Sequence, residues 1–155
     1  MELAYIAVFG WIAVLYALWE AHVDAQTIEG DGTINHTERF ISRGLLGLAA
    51  ATAFALAPST GDQSFIAKVL MLWVAFGGLF STVFRSKLNG HRDLDVWYMS
   101  YSNNYDTLWL WLANRVSVSV FMATGRVWDS AKLAGWAATA VELAISTTLL
   151  AMLLG

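Results

Sequence analysis

The chain has 155 residues, of which 57% are hydrophobic and only 14% charged, with a net charge of −3 and a mean hydropathy of +0.54. An ordinary soluble domain is about a quarter charged, so this chain has too little polar surface to be a water-soluble globule of its size. The acidic balance argues against nucleic-acid binding, which calls for a basic stripe, and the lack of cysteine excludes disulfides, thiol nucleophiles and cysteine-ligated metal centres.

Most of the charged residues gather in two stretches, 20–43 and 85–106, which leaves long apolar runs between them. That clustering is the pattern of membrane spans and their loops. Five runs approach the ~17–25 residues that a helix needs to cross a hydrocarbon core of ~30 Å. In chain order they are 3–22, 40–57, 65–84, 108–125 and 133–154. The first follows Met1-Glu2-Leu3 without a basic leader or a small-residue cleavage motif, and reads as a retained span. The second stops at Pro58, which cannot donate a helix hydrogen bond. None alternates apolar with polar as barrel strands do. The expectation is an all-α, polytopic transmembrane helix bundle forming a single domain over 1–155. It has about five spans, or four if the segment around Arg115 is interfacial.

The connections are unequal. Residues 24–36 and 85–107 form long polar loops, whereas 58–64 and 126–131 are short turns. With five crossings both long loops fall on one side, with Arg39, Arg43, Arg85, Lys87 and Arg92, against Lys68, Arg126 and Lys132 opposite. The positive-inside rule then makes the long-loop side cytoplasmic and the N-terminus external. Small residues recur as Gly44/Gly47/Ala51, Gly77/Gly78/Ser81 and Ala131/Gly135/Ala138. Such stripes let helices approach closely in lipid, within the chain or between copies.

Glu142 is the least ordinary residue, because an ionisable group near the middle of an apolar span costs at least ~2.5 kcal/mol and marks a site by default. Arg115, preceded by Asn114, enters the fourth span and is placed to reach toward Glu142. The pair reads either as a proton or ion relay or as a fixed ion pair. A protonated Glu142 bonded to Thr139 or Ser146 is a third possibility, with a purely structural role.

Residues 27–38 match a 12-residue calcium loop in part, with Glu29 and Asp31 at the third and fifth places, Gly32 at the turn and Glu38 at the twelfth. Thr27 stands where that loop requires Asp. The plainer reading is a Gly-Asp-Gly turn followed by an Asn35 helix cap, with Glu38 three residues on. His22, His36 and His91, with Asp93 and Asp95, form a candidate set for a divalent metal. Their spacing lacks the His-Glu-x-x-His pattern, and solvated interfacial histidines are the alternative. Arg39 and Arg43 share a helix face with His36, which suits a lipid phosphate.

The segment 84–106 is rich in aromatic side chains, including Trp97, Tyr98, Tyr101 and Tyr105, and reads as an interfacial stretch docked on the bundle. Asn35-His36-Thr37, Phe84-Arg85 with Leu88-Asn89, and Trp97-Tyr98 followed by Tyr105-Asp106 together resemble small multi-spanning membrane proteins of unassigned role in bacteriophage and bacterial genomes. That resemblance implies an origin and no activity. No nucleophile–base pair, phosphate loop or strong metal motif is present in the sequence. The leading expectation is therefore a non-enzymatic membrane protein acting by assembly or interaction, with the bilayer, further copies or other membrane proteins as partners and no nucleic acid. A small channel or transporter lined by Glu142, Arg115, Ser117, Ser119 and Thr124 is one alternative. A histidine–carboxylate metal enzyme with a lipid-like substrate is the other.

Overall fold

The computed structural model describes residues 2–57, 63–99 and 104–154. Among these the chain forms five helices and no strand: α1 (Glu2–Glu29), α2 (His36–Ala55), α3 (Phe65–His91), α4 (Asn104–Thr124) and α5 (Ser130–Met152). Three of them, α1, α3 and α5, are long and apolar enough to cross a membrane. The Pro58 stop and Tyr101 lie outside the described residues.

Two loop boundaries expected from the sequence are corrected. Residues 24–29 continue α1, and residues 85–91 continue α3. Polar residues ended the apolar runs there, but Asp24 and Arg85 find counter-charges on other helices, so the backbone stays helical. The connections shrink to residues 30–35 and 92–103. Asn35 caps α2 by accepting the Glu38 backbone N–H at 3.2 Å, and Asp129 caps α5 through the N–H groups of Ala131 and Lys132.

α1 buries a face built at i, i+4 spacing from Phe9, Ala13, Ala17 and Ala21. α3 answers with Phe76, Phe80 and Phe84, whose rings stack successively at 6.2 and 5.4 Å. Large rings against an alanine groove give close van der Waals contact, the main attraction between helices where lipid tails are as apolar as the side chains. Gly47 of α2 makes room for the Phe76 ring, and the Trp73 indole donates to the Gly44 carbonyl at 3.0 Å. Ile6, Phe9 and Leu153 belong to one buried cluster, so the start of α1 and the end of α5 lie at the same end of the bundle.

Contact pairs fix the helix directions. Phe9 meets Phe76 and His22 meets His91, so α1 and α3 run parallel. Tyr5 and Phe9 meet Phe54 while Glu20 meets Arg43, so α2 runs antiparallel to α1. Glu142 meets Ser81 and Thr82, and Lys132 meets Asp95, so α5 runs antiparallel to α3. Tyr105 meets Glu142 near the middle of α5, while Ser117 reaches the Trp128 carbonyl just before it. α4 is therefore parallel to α3, where five alternating spans would make it antiparallel.

The cause is a hook after α3. Asp93 takes a left-handed backbone conformation, φ 54°, and turns the chain back. The Asn89 amide then donates to the carbonyls of Val96 and Tyr98, at 3.3 and 2.9 Å. Trp97 stacks on Trp136 of α5 with ring centroids 4.7 Å apart. The Trp97 carbonyl lies so close to Gly135 that any Cβ there would collide with it. Met99, Leu110, Ala113, Ala134 and Ala138 form a second core between the hook, α4 and α5.

Candidate functional site

Two buried clusters of charge lie beside α3. In the first, the Glu142 carboxylate of α5 receives donors from two other helices. Oε1 accepts from Ser81 Oγ at 2.9 Å, Arg85 Nη1 at 3.3 Å and the Tyr105 hydroxyl at 2.5 Å. Oε2 accepts from Thr82 Oγ1 at 2.7 Å and Arg85 Nη2 at 2.8 Å. Five bonds fill the roughly four lone-pair positions that a carboxylate offers. Arg85 Nη2 also donates to the Thr139 hydroxyl at 3.1 Å, and both charged side chains are buried.

The sequence placed Glu142 inside the bundle and named the wrong arginine. Arg115 is exposed, with its guanidinium 5.1 Å from the centre of the Trp111 ring, and Asn114 is exposed beside it. The apolar pattern puts Arg85 at the start of the polar loop that follows the third run. The signal of Arg85 was present in Ser81-Thr82-Val83-Phe84-Arg85, which groups two hydroxyls and a guanidinium within about half a turn of helix surface. Of the two hydroxyls expected to serve Glu142, Thr139 serves Arg85. Among the described residues Ser146 finds no hydrogen-bond partner, and it packs against Gly78. The hydroxyls of Ser119 and Thr124 bond to carbonyls one turn back, and that of Ser117 to the Trp128 carbonyl.

The second cluster joins α1 and α2. Arg43 donates from Nε and Nη2 to Glu20 Oε2 at 3.0 and 2.8 Å, and from Nη2 to Asp24 Oδ2 at 2.6 Å. Its guanidinium carbon lies 4.3 Å from the centre of the Phe84 ring, a cation–π contact made away from water. Arg39 approaches Glu20 and Asp24 at 3.5 Å each. The two arginines expected to meet lipid phosphate thus balance the buried carboxylates of α1. Glu20 and Asp24 recur at i, i+4 and were legible as a shared face. That this face turns inward was not.

His22, about two turns before the end of α1, and His91, at the end of the parallel α3, come together with ring centroids 5.8 Å apart. His36 is exposed at the head of α2. Among the described residues no three or more His, Asp or Glu side chains are grouped closely enough to hold a metal ion. Asp93 is exposed in the hook, and Asp95 pairs with Lys132 at 3.3 Å. The Asp95 carboxyl is held below its ordinary range, chiefly because it accepts the Trp97 backbone N–H at 3.0 Å and then because of Lys132.

The calcium-loop reading of 27–38 is corrected as well. Thr27, Ile28 and Glu29 are helical, the Thr27 hydroxyl bonds to the Val23 carbonyl, and Glu38 belongs to α2. Glu29, Asp31 and Glu38 are all exposed. Helix continues where a calcium loop would have to wrap an ion.

No family model, curated protein or solved structure matches this chain.

Proposed function

We propose that this chain is a multi-pass membrane protein that acts without enzymatic chemistry, as a rigid bundle assembling or interacting with other components in the bilayer. The observation that carries this reading is the saturation of Glu142. A relay carboxylate needs a free position for its proton, and this one already accepts five hydrogen bonds. A carboxylate so held serves as a lock between α3 and α5. The resemblance to small multi-spanning proteins of phage and bacteria supplies the setting, a bacterial or phage-modified membrane.

We read four crossings, by α1, α2, α3 and α5. The charges of α2 weaken its composition as a span, but Arg39 and Arg43 are neutralised by Glu20 and Asp24, which lowers the cost of holding them at the membrane edge. α4 starts at the level of Glu142 and runs toward the end of the bundle that carries the hook. On this reading every basic residue except Lys68 belongs to the end formed by residues 30–35, the hook and the α4–α5 turn. The positive-inside rule makes that end cytoplasmic and leaves both termini outside.

Two experiments test these statements. Reconstituted vesicles are expected to show no proton or ion flux that depends on Glu142; flux abolished by Glu142→Gln in a variant of unchanged stability would instead support a channel. The cysteine-free chain also suits single-cysteine labelling. Thr33→Cys and Val127→Cys should react from the same side of the membrane under four crossings. Reaction from opposite sides would restore five.

A further inference from the structure

α1 and α2 meet at their charged ends and again where Tyr5 and Phe9 reach Phe54, and beside the charged contact a cleft of about 640 Å³ opens, roofed by residues 33–35. Its walls are graded. Glu38, Arg39 and Asn35 line the end beside the roof, and Tyr16, Trp19 and Leu46 line the other. From Arg39 to Leu46 is seven residues of helix, a descent of ~10 Å. That is the spacing over which a phospholipid passes from charged headgroup to acyl chain.

The charges select among headgroups. Arg39 and Arg43 balance Glu20 and Asp24, and Glu38 adds one further carboxylate. An anionic ligand alone would therefore enter a site with an excess negative charge. Arg39 nonetheless makes only two ion contacts, both at 3.5 Å, and its side chain is 31% exposed, so its donors can turn to a phosphate. Tyr16 and Trp19 stack with centroids 5.9 Å apart and give the lower end of the cleft an aromatic wall of the kind that sits at the headgroup–acyl boundary.

We propose that this cleft binds the headgroup of a zwitterionic glycerophospholipid. The phosphate sits on Arg39, the ammonium lies against Glu38 at the roof end, and the acyl chains run past Tyr16, Trp19 and Leu46. The proposal rests on the membrane placement given above, which cysteine labelling tests separately.

The test is native mass spectrometry of the delipidated full chain in detergent, titrated with phosphatidylethanolamine and phosphatidylglycerol of matched acyl chains. Glycerophosphoethanolamine and inorganic phosphate serve as competitors. Phosphatidylethanolamine is expected to bind at least about fivefold more tightly than phosphatidylglycerol, as one favourable exposed charge contact allows. Glu38→Gln should erase most of that preference, and Trp19→Ala should weaken both lipids alike, each without changing thermal unfolding. Glycerophosphoethanolamine should compete weakly and inorganic phosphate not at all. Equal or tighter binding of phosphatidylglycerol, or an unchanged preference in Glu38→Gln, overturns the proposal. Full displacement by inorganic phosphate would also overturn it and assign the cleft to a free anion.

Discussion

Arg85 and Glu142, 57 residues apart in sequence, meet through two hydrogen bonds of 2.8 and 3.3 Å and join α3 to α5. Removing one partner leaves the other charge buried and unpaired, which costs ~3–5 kcal/mol, whereas replacing both by apolar groups is far milder. Arg85→Leu and Glu142→Leu should each destabilise the bundle by that amount in reversible micellar unfolding, and the double variant should recover most of the loss. Arg115→Leu should stay within ~0.5 kcal/mol of the parent, as exposed surface substitutions do. An Arg85→Leu variant as stable as the parent would sink this account of the pair.

Adjacent glycines of α3 should behave oppositely. A Cβ on Gly78 would strike Ser146 Oγ and the Glu142 carbonyl at the α3–α5 contact, while one on Gly77 meets open space. Gly78→Ala should cost ~1–3 kcal/mol through overpacking. Gly77→Ala should be neutral or gain up to ~1 kcal/mol from helix propensity. The same unfolding measurement reads both, and equal effects would mean that the close approach of α3 and α5 is not what the geometry indicates.

Arg43 serves Glu20 and Asp24 together through one fork. Arg43→Ala should expose the bundle to two buried carboxylates with only Arg39 nearby and cost at least ~3 kcal/mol. Arg43→Lys should recover only part of this, because an ammonium cannot reproduce the planar fork or its stacking on Phe84. Full rescue by lysine would show that charge alone matters there.

The hook should loosen in acid. The folded Asp95 carboxyl is lowered by the Trp97 N–H and by Lys132, so its contribution is present above the ordinary aspartate range and is lost as pH falls through the lowered value. Amide exchange in residues 92–99, corrected for intrinsic rates, should therefore rise between neutral and strongly acidic pH. Asp95→Asn should give raised exchange at neutral pH and a flatter pH response. An acid response of the same size in Asp95→Asn would place its origin in another group.

The helical, membrane-suited character of the chain was determined by the sequence, because transfer from water depends on local composition and run length: all five apolar runs became helices, and three of these are long and apolar enough to cross a membrane. The Asn35 cap was legible for the same local reason, since it needs only a side-chain oxygen three residues before a free N–H. Glu142 stood out because a buried carboxylate is conspicuous on any apolar span. Its partners were decided by the tertiary structure alone. Helical periodicity tells which residues share a face, not which neighbour that face meets or at what height, and in lipid no polarity contrast marks the inward side. Arg85 could be assigned to Glu142, and Arg43 to Glu20 and Asp24, only once the directions of the helices were fixed. For α1 and α2 they follow from the short connection 30–35; beyond α3 the chain is first turned back at Asp93 and held there by Asn89, an arrangement made by contacts that a local pattern does not display.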